Sequence, residues 1–333
     1  MLFFYFIGWV IFSQSILMRM FTCCKKKRRL DTYSIKQKNH SGSPWLILSA
    51  HRGGSFERVE NTLTAFKNAI ENGMDLLECD VQMTKDGVVV VAHDNDILRL
   101  CGIKKNVNEF NYDELPPMQR RIPLHFSEGE YVLLPEEDGK FTTLRQLFEI
   151  ANYKLISIDL KDKNDEMKHK VNDLIKEFKR EHLTIWGSMV PKEHNKIGRL
   201  NPNTPQFFSG GQTMMVYLMY YLGLLFLYPL PSDAFMVPIF NSEKEKLFAQ
   251  MVKKRKGGCL MRLAIVILGV LLRNSKNLYR HLRKRGVIVV VWVLNEEQEF
   301  IEALDFFPEI DGIMTDCPTK LYEFASRQNY KLE

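Results

Sequence analysis

The feature that most constrains this chain is a pair of β-rich runs joined by only a few residues. Leu76–Met83 is a β-rich run with largely alternating side chains, Lys85-Asp86-Gly87 is a turn signal, and residues 88–92 form a second β-branched run. So short a connection allows only an antiparallel hairpin, because parallel strands need a crossover of a dozen or more residues. With a two-residue turn at Asp86-Gly87, Asp80 is predicted to lie opposite His93.

Acidic side chains concentrate on one face of this hairpin. Glu78 and Asp80 are two positions apart, so the alternation of a strand places both carboxylates on the same face. Together with His93 they are expected to converge on one patch; an ordinary hairpin with solvated acids is the alternative. Two carboxylates on one face repel each other unless a cation lies between them, which favours a divalent metal ion.

A second group of polar residues precedes the hairpin. Residues 45–50 are typical of a short buried strand, and His51 and Arg52 follow where that strand ends. Residues 61–72 then show the apolar stripe of an amphipathic helix. Asn61 at its start either caps the helix or supports the loop at His51. Polar residues between a strand and a helix are expected at the carboxyl-end rim of an α/β fold.

The remainder of the chain alternates strand and helix patterns. Besides residues 45–50 and 76–83, the sequence predicts strands at 155–161, 183–187, 206–209, 235–240, 287–294 and 311–315. Eight parallel strands separated by helices, notably 165–180 and 296–306, predict an α/β protein with a (β/α)8 TIM barrel and its site on the C-terminal face. With 333 residues and 45% apolar side chains the chain can build one such barrel. The irregular segment 95–140 is expected to cap the site.

Apolar and basic segments predict a membrane protein. Residues 1–22 form an apolar run long enough for an anchor helix, residues 23–44 a basic and polar linker, and residues 45–333 the barrel. The basic run at 25–29 predicts a cytosolic barrel on an integral membrane protein, in the endoplasmic reticulum or another internal membrane. The uncharged residues 214–230 connect consecutive barrel strands, so they are expected to be a membrane-embedded insertion in the near leaflet. Residues 260–272 either do the same or form an ordinary barrel helix.

The motifs occur in a recognisable order. HRG at 51–53, ENT at 60–62, ExD at 78–80 and HD at 93–94 together resemble the glycerophosphodiester phosphodiesterase family. Trp292-x-x-Asn295 and Thr315-Asp316-x-Pro318 extend the resemblance over nearly the whole chain after residue 45. Within the family, the chain is most similar to the membrane-anchored lysophospholipase D branch.

The resemblance implies a metal-dependent phosphodiesterase. His51 and His93 are the expected general base and general acid, in an order that the sequence leaves open. Glu78, Asp80 and Asp159 are the expected ligands of one divalent metal ion, Mg²⁺ or Ca²⁺. Many family members carry glutamate where this chain has Asp159.

Three further residues are expected to contact the substrate. Arg52 has the planar fork that suits a bidentate phosphate clamp. Lys161 shares the face of Asp159 two positions away, and Trp292 ends a predicted strand at the rim.

The expected substrate is a lysophospholipid such as lysophosphatidylcholine or glycerophospho-N-acylethanolamine, cleaved to lysophosphatidic acid and the alcohol. One alternative is hydrolysis of soluble glycerophosphodiesters to glycerol 3-phosphate. Another is an inactive, membrane-tethered barrel that serves as an interaction module, although both histidines, the close acids and Arg52 count against it. The net charge of +6 is carried by basic clusters without aromatic interleaving, so a membrane bilayer is a better partner than nucleic acid. No obligate protein partner is indicated.

Overall fold

Parallel strands form the wall of a barrel in the computed structural model, which describes residues 46–124, 129–134, 139–239, 269 and 272–328. The strands are β1 (Ile47–Ala50), β2 (Leu76–Met83), β3 (Val89–Val91), β4 (Arg121–Pro123), β5 (Tyr131–Leu133), β6 (Leu155–Leu160), β7 (Thr184–Gly187), β8 (Ala234–Pro238), β9 (Ile288–Trp292) and β10 (Gly312–Thr315). Seven of them form a parallel sheet in the order β7-β6-β2-β1-β10-β9-β8, and β3 pairs antiparallel with β2.

Residues 206–207 close the barrel between β7 and β8. Gln206 forms a parallel bridge with Trp186, and Phe207 forms one with Ala234. The Gln206 N–H donates to the carboxylate of Asp233 at 3.0 Å and not to a neighbouring strand. The predicted strand at 206–209 therefore consists of these two bridges. The predicted (β/α)8 barrel is confirmed as a nearly closed barrel of parallel strands.

Helices cover the outer face of this barrel. They are α1 (Leu63–Glu71), α2 (Leu98–Cys101), α3 (Leu144–Ala151), α4 (Asp165–Glu177), α5 (Pro191–Leu200), α6 (Gly210–Tyr221), α7 (Lys276–Lys284), α8 (Glu297–Phe306) and α9 (Pro318–Arg327). Side-chain caps begin several of them: the Thr62 hydroxyl accepts the Ala65 N–H, and Thr143 forms a capping box with Gln146. The cap of α1 is therefore Thr62, and Asn61 instead donates its N–H to the Arg52 carbonyl at 2.8 Å.

Apolar side chains form two layers. The inward side chains of the strands fill the barrel; they are Ile47, Leu76, Leu155, Leu183, Ile185, Phe207, Ala234, Ile288, Val290 and Met314. A larger layer lies between strands and helices and includes Phe66, Trp186 and Phe235. Because the inner layer plugs the barrel, inward side chains further along each strand lie above the plug, at the carboxyl end.

The hairpin forms as predicted, but its register differs by one residue. Val81 pairs with Val91, and the Ala92 N–H donates to the Asp80 carbonyl at 2.9 Å, so Asp80 lies opposite Ala92 and not His93. The reason is the turn, which contains three residues because the Thr84 N–H donates to the Val88 carbonyl at 3.0 Å. Gly87 takes the left-handed conformation, φ 81°, that a three-residue turn requires.

The segment at 214–230 belongs to the layer of helices around the barrel. Its helix, α6, ends at Tyr221, and Gly223 follows with φ 75°. Val216, Tyr220 and Leu225 pack into the layer between strands and helices, whereas the outer face exposes Met214, Leu218 and Leu222. Residues 214–221 therefore belong to a barrel helix whose inner face is part of the core, and residues 222–230 form turns after it; the membrane-embedded insertion stays a prediction.

The predicted localisation as an integral membrane protein is wrong on the described part of the chain. Within those residues no helix is both long and apolar enough to cross a bilayer. The expected anchor at 1–22 and the linker at 23–44 lie outside the described residues, as does most of the segment at 260–272.

The segment after the hairpin packs beside the barrel mouth. Its described residues, including α2 and the β4-β5 hairpin, form a separate apolar cluster around Ile97, Leu100 and Phe141. None of its described side chains lines the cavity discussed below. In its described part, the segment supports one wall of the site from outside and does not cap it.

Candidate active site

All eight residues singled out in the sequence line one cavity of about 230 Å³ at the carboxyl ends of the strands. They are His51, Arg52, Glu78, Asp80, His93, Asp159, Lys161 and Trp292. The period of two explains this convergence: Leu76 belongs to the apolar plug, and Glu78 and Asp80 are the next inward positions on β2. Leu155 is likewise followed by Ser157, Asp159 and Lys161 along β6.

A tight turn after β1 holds His51 and Arg52 at the rim. Arg52 itself has φ 51°, and its N–H donates to Glu78 Oε2 at 3.0 Å. Gly54 has φ 99°, and a Cβ at this position would lie 2.5 Å from Pro318 Cγ. Only glycine fits there, because both the conformation and the close packing exclude a side chain.

His51 forms a pair with Asp316, which directly follows β10. His51 Nδ1 lies 2.7 Å from Asp316 Oδ1, and its Nε2 lies 4.0 Å from Glu78 Oε2. Burial opposes charging of the ring, but the attraction and hydrogen bond of Asp316 outweigh it, and the pKa of His51 is raised. Burial alone would raise the pKa of Asp316, whereas His51 and the hydrogen bonds from Ser55 and Asn295 lower it.

His93 also has a carboxylate partner. Its Nδ1 lies 2.7 Å from Asp94 Oδ1, and Asp94 Oδ2 lies 3.3 Å from Arg99 Nη2. Arg99 Nη2 also donates to Glu60 Oε1 at 2.7 Å, and Glu60 accepts from Arg52 Nη1 at 3.2 Å. A chain of alternating charges thus connects the His93 side of the cavity with Arg52.

Three carboxylates line the cavity, and their pKa values are shifted in different directions. Burial, followed by the nearby Asp80, raises the pKa of Glu78 to about 7. Burial would also raise the pKa of Asp80, but Lys161 and Arg52 lower it. Burial raises the pKa of Asp159 in spite of the neighbouring Lys161. Burial thus favours the protonated forms of Glu78 and Asp159, whereas Lys161 and Arg52 favour the ionised form of Asp80.

Lys161 lies between two of these carboxylates. Its Nζ is 2.6 Å from Asp159 Oδ2 and 3.0 Å from Asp80 Oδ1. Arg52 Nε is 3.3 Å from the other oxygen of Asp80. Burial disfavours the charged ammonium, but both carboxylates outweigh it, so the pKa of Lys161 is raised.

The donor set suits a hard divalent cation. Asp80 Oδ2 and Asp159 Oδ1 are buried, and neither accepts a hydrogen bond in the part of the chain that is described. Carboxylate oxygens are the ligands that Mg²⁺ and Ca²⁺ prefer. As the described side chains stand, no group of three or more His, Cys, Asp and Glu residues is close enough together to hold a metal ion. The three predicted metal ligands therefore line one cavity, but their side chains do not surround a common point.

The opposite wall of the cavity is apolar. It is formed by Met189, Phe207, Met236, Trp292 and Met314. Half of Met189 is exposed, and it lies after β7 at the mouth. The site thus pairs an ionic half, which can bind and protonate a charged group, with an apolar half, which can take a hydrocarbon.

Sequence reasoning assigned no role to several residues that shape this site. Asp316 lies in the Thr315-Asp316-x-Pro318 motif. Because it follows the inward Met314 by two positions, the alternation of a strand predicts an inward side chain for it as well. Asn295, which belongs to the Trp292-x-x-Asn295 motif, donates from Nδ2 to Asp316 Oδ2 at 3.0 Å. Arg99 lies in the irregular segment, where no periodicity indicates its direction.

Solved structures with this fold were found by comparison. A glycerophosphodiester phosphodiesterase from Thermotoga maritima superposes with a TM-score of 0.56 at 25% identity, over 84% of this chain and 98% of that structure. A glycerophosphoryl diester phosphodiesterase domain from Mycobacterium tuberculosis superposes with a TM-score of 0.62 at 15% identity, over 84% of this chain and 99% of that structure.

Sequence comparison gives the same family. Residues 51–320 match the Glycerophosphoryl diester phosphodiesterase family. Human "Lysophospholipase D GDPD1" is 35% identical over 275 residues, which are 83% of this chain and 84% of the human protein. Mouse "Lysophospholipase D GDPD3" is 35% identical over 281 residues, which are 84% of this chain and 82% of the mouse protein.

Proposed function

Because this chain belongs to the glycerophosphoryl diester phosphodiesterase family and is a phosphoric diester hydrolase, we propose that its substrate is a lysophospholipid. Hydrolysis on the headgroup side yields lysophosphatidic acid and the free alcohol. The observation that carries this proposal is the division of the cavity into an ionic wall and the apolar wall of Met189, Phe207 and Trp292. A soluble glycerophosphodiester would leave that apolar wall in contact with water.

Two imidazoles are available for proton transfer. In the reaction a new oxygen–phosphorus bond forms to the attacking hydroxyl, and the bond from phosphorus to the leaving alcohol breaks. One of His51 and His93 takes the proton of the attacking hydroxyl, and the other gives a proton to the leaving oxygen. Each imidazole has its Nδ1 beside a carboxylate, Asp316 or Asp94, so Nε2 is the nitrogen that exchanges protons in the cavity.

Glu78, Asp80 and Asp159 would hold one divalent cation, Mg²⁺ or Ca²⁺. Such an ion, when bound, polarises a phosphate oxygen as a Lewis acid and offsets the negative charge of the diester. The support for this role is the raised pKa of Glu78, about 7 through burial and the neighbouring Asp80, together with the buried oxygens that accept no hydrogen bond from the described residues. Lys161 contacts Asp80 and Asp159 at 3.0 Å and 2.6 Å, so it would compete with a cation for these oxygens.

Cationic and aromatic side chains position the diester. Arg52 faces the cavity while Asp80 and Glu60 fix its guanidinium, at 3.3 Å and 3.2 Å. A guanidinium held in this way contributes a pre-oriented positive charge toward a phosphate. Lys161 lines the same cavity and is the second cation proposed to bind a phosphate oxygen. Trp292 lies on the apolar wall, where it packs against the hydrocarbon part of the substrate.

Headgroup release from matched substrates tests the proposal. Choline release is measured with purified protein on lysophosphatidylcholine and on glycerophosphocholine, each with Mg²⁺, with Ca²⁺ and after exhaustive chelation. We expect kcat/KM to be at least about tenfold higher for the lysolipid, equivalent to about 1.4 kcal/mol from the apolar wall. Equal or better cleavage of glycerophosphocholine would identify a soluble-diester enzyme. Full activity after chelation would contradict the metal assignment, and no cleavage of either substrate would favour an interaction module.

A further inference from the structure

We infer that Asp316 is the positioning residue of His51. Its carboxylate accepts a hydrogen bond from the protonated Nδ1 of His51 and thereby holds Nε2 toward the cavity. This inference rests on the proposed phosphodiesterase function. The supporting observation is the 2.7 Å separation of His51 Nδ1 and Asp316 Oδ1 across the junction of the first and last strands.

The barrel wall brings these two residues together. β1 pairs with β10 in parallel, and Ala50 lies opposite Thr315. His51 and Asp316 are the next residues on each strand, so both emerge side by side at the rim. Both side chains are buried or nearly so, which excludes water from the hydrogen bond between them.

Besides His51, two donors fix the carboxylate of Asp316. The Ser55 hydroxyl donates to Oδ1 at 2.6 Å, and Asn295 Nδ2 donates to Oδ2 at 3.0 Å. The orientation of the Asn295 amide is itself determined, because its Oδ1 accepts the Asp316 N–H at 2.8 Å and the Thr315 hydroxyl at 3.1 Å. Asp316 therefore cannot rotate away from His51 without breaking several hydrogen bonds.

This arrangement selects one tautomer of the imidazole. A carboxylate only accepts hydrogen bonds, so the His51 nitrogen that faces Asp316 carries a proton. In the neutral ring the other nitrogen, Nε2, then has a free lone pair, and it lies on the cavity side, 4.0 Å from Glu78 Oε2. Only that tautomer can accept a proton from a hydroxyl in the cavity.

The second histidine is held less firmly. Asp94, the partner of His93, has a side chain 26% exposed and shares its carboxylate with Arg99, whereas the Asp316 side chain is 4% exposed. The rigid carboxylate thus belongs to His51, and the loss of Asp316 should affect the chemical step more than substrate binding.

The test replaces Asp316 by asparagine in the full-length protein. Asp316→Asn preserves the shape, but its amide can also donate to Nδ1 and stabilise the opposite tautomer. We expect kcat on lysophosphatidylcholine to fall by about 10²–10⁴, with KM within about threefold of wild type. The control is Asp311→Asn, a buried carboxylate at the start of β10 that pairs with Arg283 at 3.0 Å. This variant should lower thermal stability and leave kcat unchanged.

Nitrogen NMR of the wild-type protein with ¹⁵N-labelled histidine provides a readout that needs no turnover. The His51 resonances, assigned by their loss in His51→Gln, should show a protonated Nδ1 and, above the pH at which the ring becomes neutral, an unprotonated Nε2. Asp316→Asn should shift this pattern toward a protonated Nε2. A protonated Nε2 in the neutral wild-type ring, or a kcat of Asp316→Asn within threefold of wild type, would overturn the inference. A wild-type protein without phosphodiesterase activity that still shows the expected NMR pattern would contradict the proposed function and not the positioning by Asp316.

Discussion

The ammonium nitrogen of Lys161 lies 3.0 Å from Asp80 Oδ1, within the group of carboxylates proposed to bind a metal ion. The same nitrogen lies 2.6 Å from Asp159 Oδ2. One lysine therefore pairs with two carboxylates that a divalent cation would also need. Lysine and cation compete for the same oxygens, and this competition can be measured separately from catalysis.

We predict that Lys161→Met increases metal affinity while it lowers activity. Removal of the ammonium group leaves Asp80 and Asp159 with less positive charge nearby, so the Kd for Mg²⁺ or Ca²⁺ should fall by about tenfold. Because the variant also lacks a cation for the phosphate, kcat/KM should fall by about 10²-fold. Calorimetric titration with the metal alone and headgroup release give the two quantities.

The exposed Lys163 provides the matched control for this experiment. Lys163→Met removes the same charge two positions away and should change neither quantity. An unchanged or weakened metal affinity in Lys161→Met would show that the carboxylates near Lys161 do not bind the ion.

We predict that His51→Ala and His93→Ala each lower kcat by about 10²–10⁴, because each imidazole transfers a proton in the cavity. Circular dichroism should show an intact fold, since both side chains lie at the rim above the apolar plug. The control is His182→Ala. This exposed histidine lies in the short turn before β7, at the opposite end of the barrel. A rate near wild type in either rim variant would contradict its assignment.

The period of two explains why much of the site could be predicted from sequence. It placed Glu78 and Asp80 on one face of β2 and Asp159 and Lys161 on one face of β6, and all four line the cavity. The register of the hairpin was missed by one residue because a two-residue and a three-residue turn share the same Asp-Gly signal.

Contacts between distant parts of the chain could not be predicted from the period of two. Asp316 reaches His51 across 265 positions because β10 pairs with β1, and strand patterns do not state which strands become neighbours. Arg99 reaches Glu60 from α2, a helix of four residues that is too short to show a period in the sequence. The apolar pattern of residues 214–230 was also ambiguous, since a helix that covers a barrel and a helix in lipid both need an apolar face.

We predict different outcomes for two leucines in the turns that follow α6. Leu225 is fully buried and its carbonyl accepts a hydrogen bond from Arg285 Nη1 at 2.9 Å, whereas Leu222 is 55% exposed. Leu225→Ala should lower the free energy of unfolding by about 2–5 kcal/mol, because a cavity forms in the core. Leu222→Ala should change it by no more than about 0.5 kcal/mol. Urea unfolding measures both, and equal effects would show that α6 does not pack as described.

The last prediction concerns pH and a histidine far from the cavity. His281 on α7 is buried, and neither ring nitrogen has a hydrogen-bond partner among the described residues. Burial, reinforced by Arg285 and Lys284, lowers its pKa to about 4. Between pH 4 and about 6.5 the unfolded chain therefore binds a proton that the folded chain excludes, so this residue contributes stability above pH 6.5 that is lost as the pH falls toward 4.

His281→Leu removes that proton uptake and keeps an apolar side chain in the core. The loss in free energy of unfolding between pH 7 and pH 4.5 should be smaller in this variant by an amount on the order of 2 kcal/mol. Stability at pH 7 should be equal to wild type or higher, because a hydrocarbon replaces a buried polar ring that has no hydrogen bond to the described residues. Urea unfolding across this pH range measures the difference, with His182→Leu as the exposed control. Parallel pH profiles for wild type and His281→Leu would show that His281 is protonated equally in the folded and unfolded states.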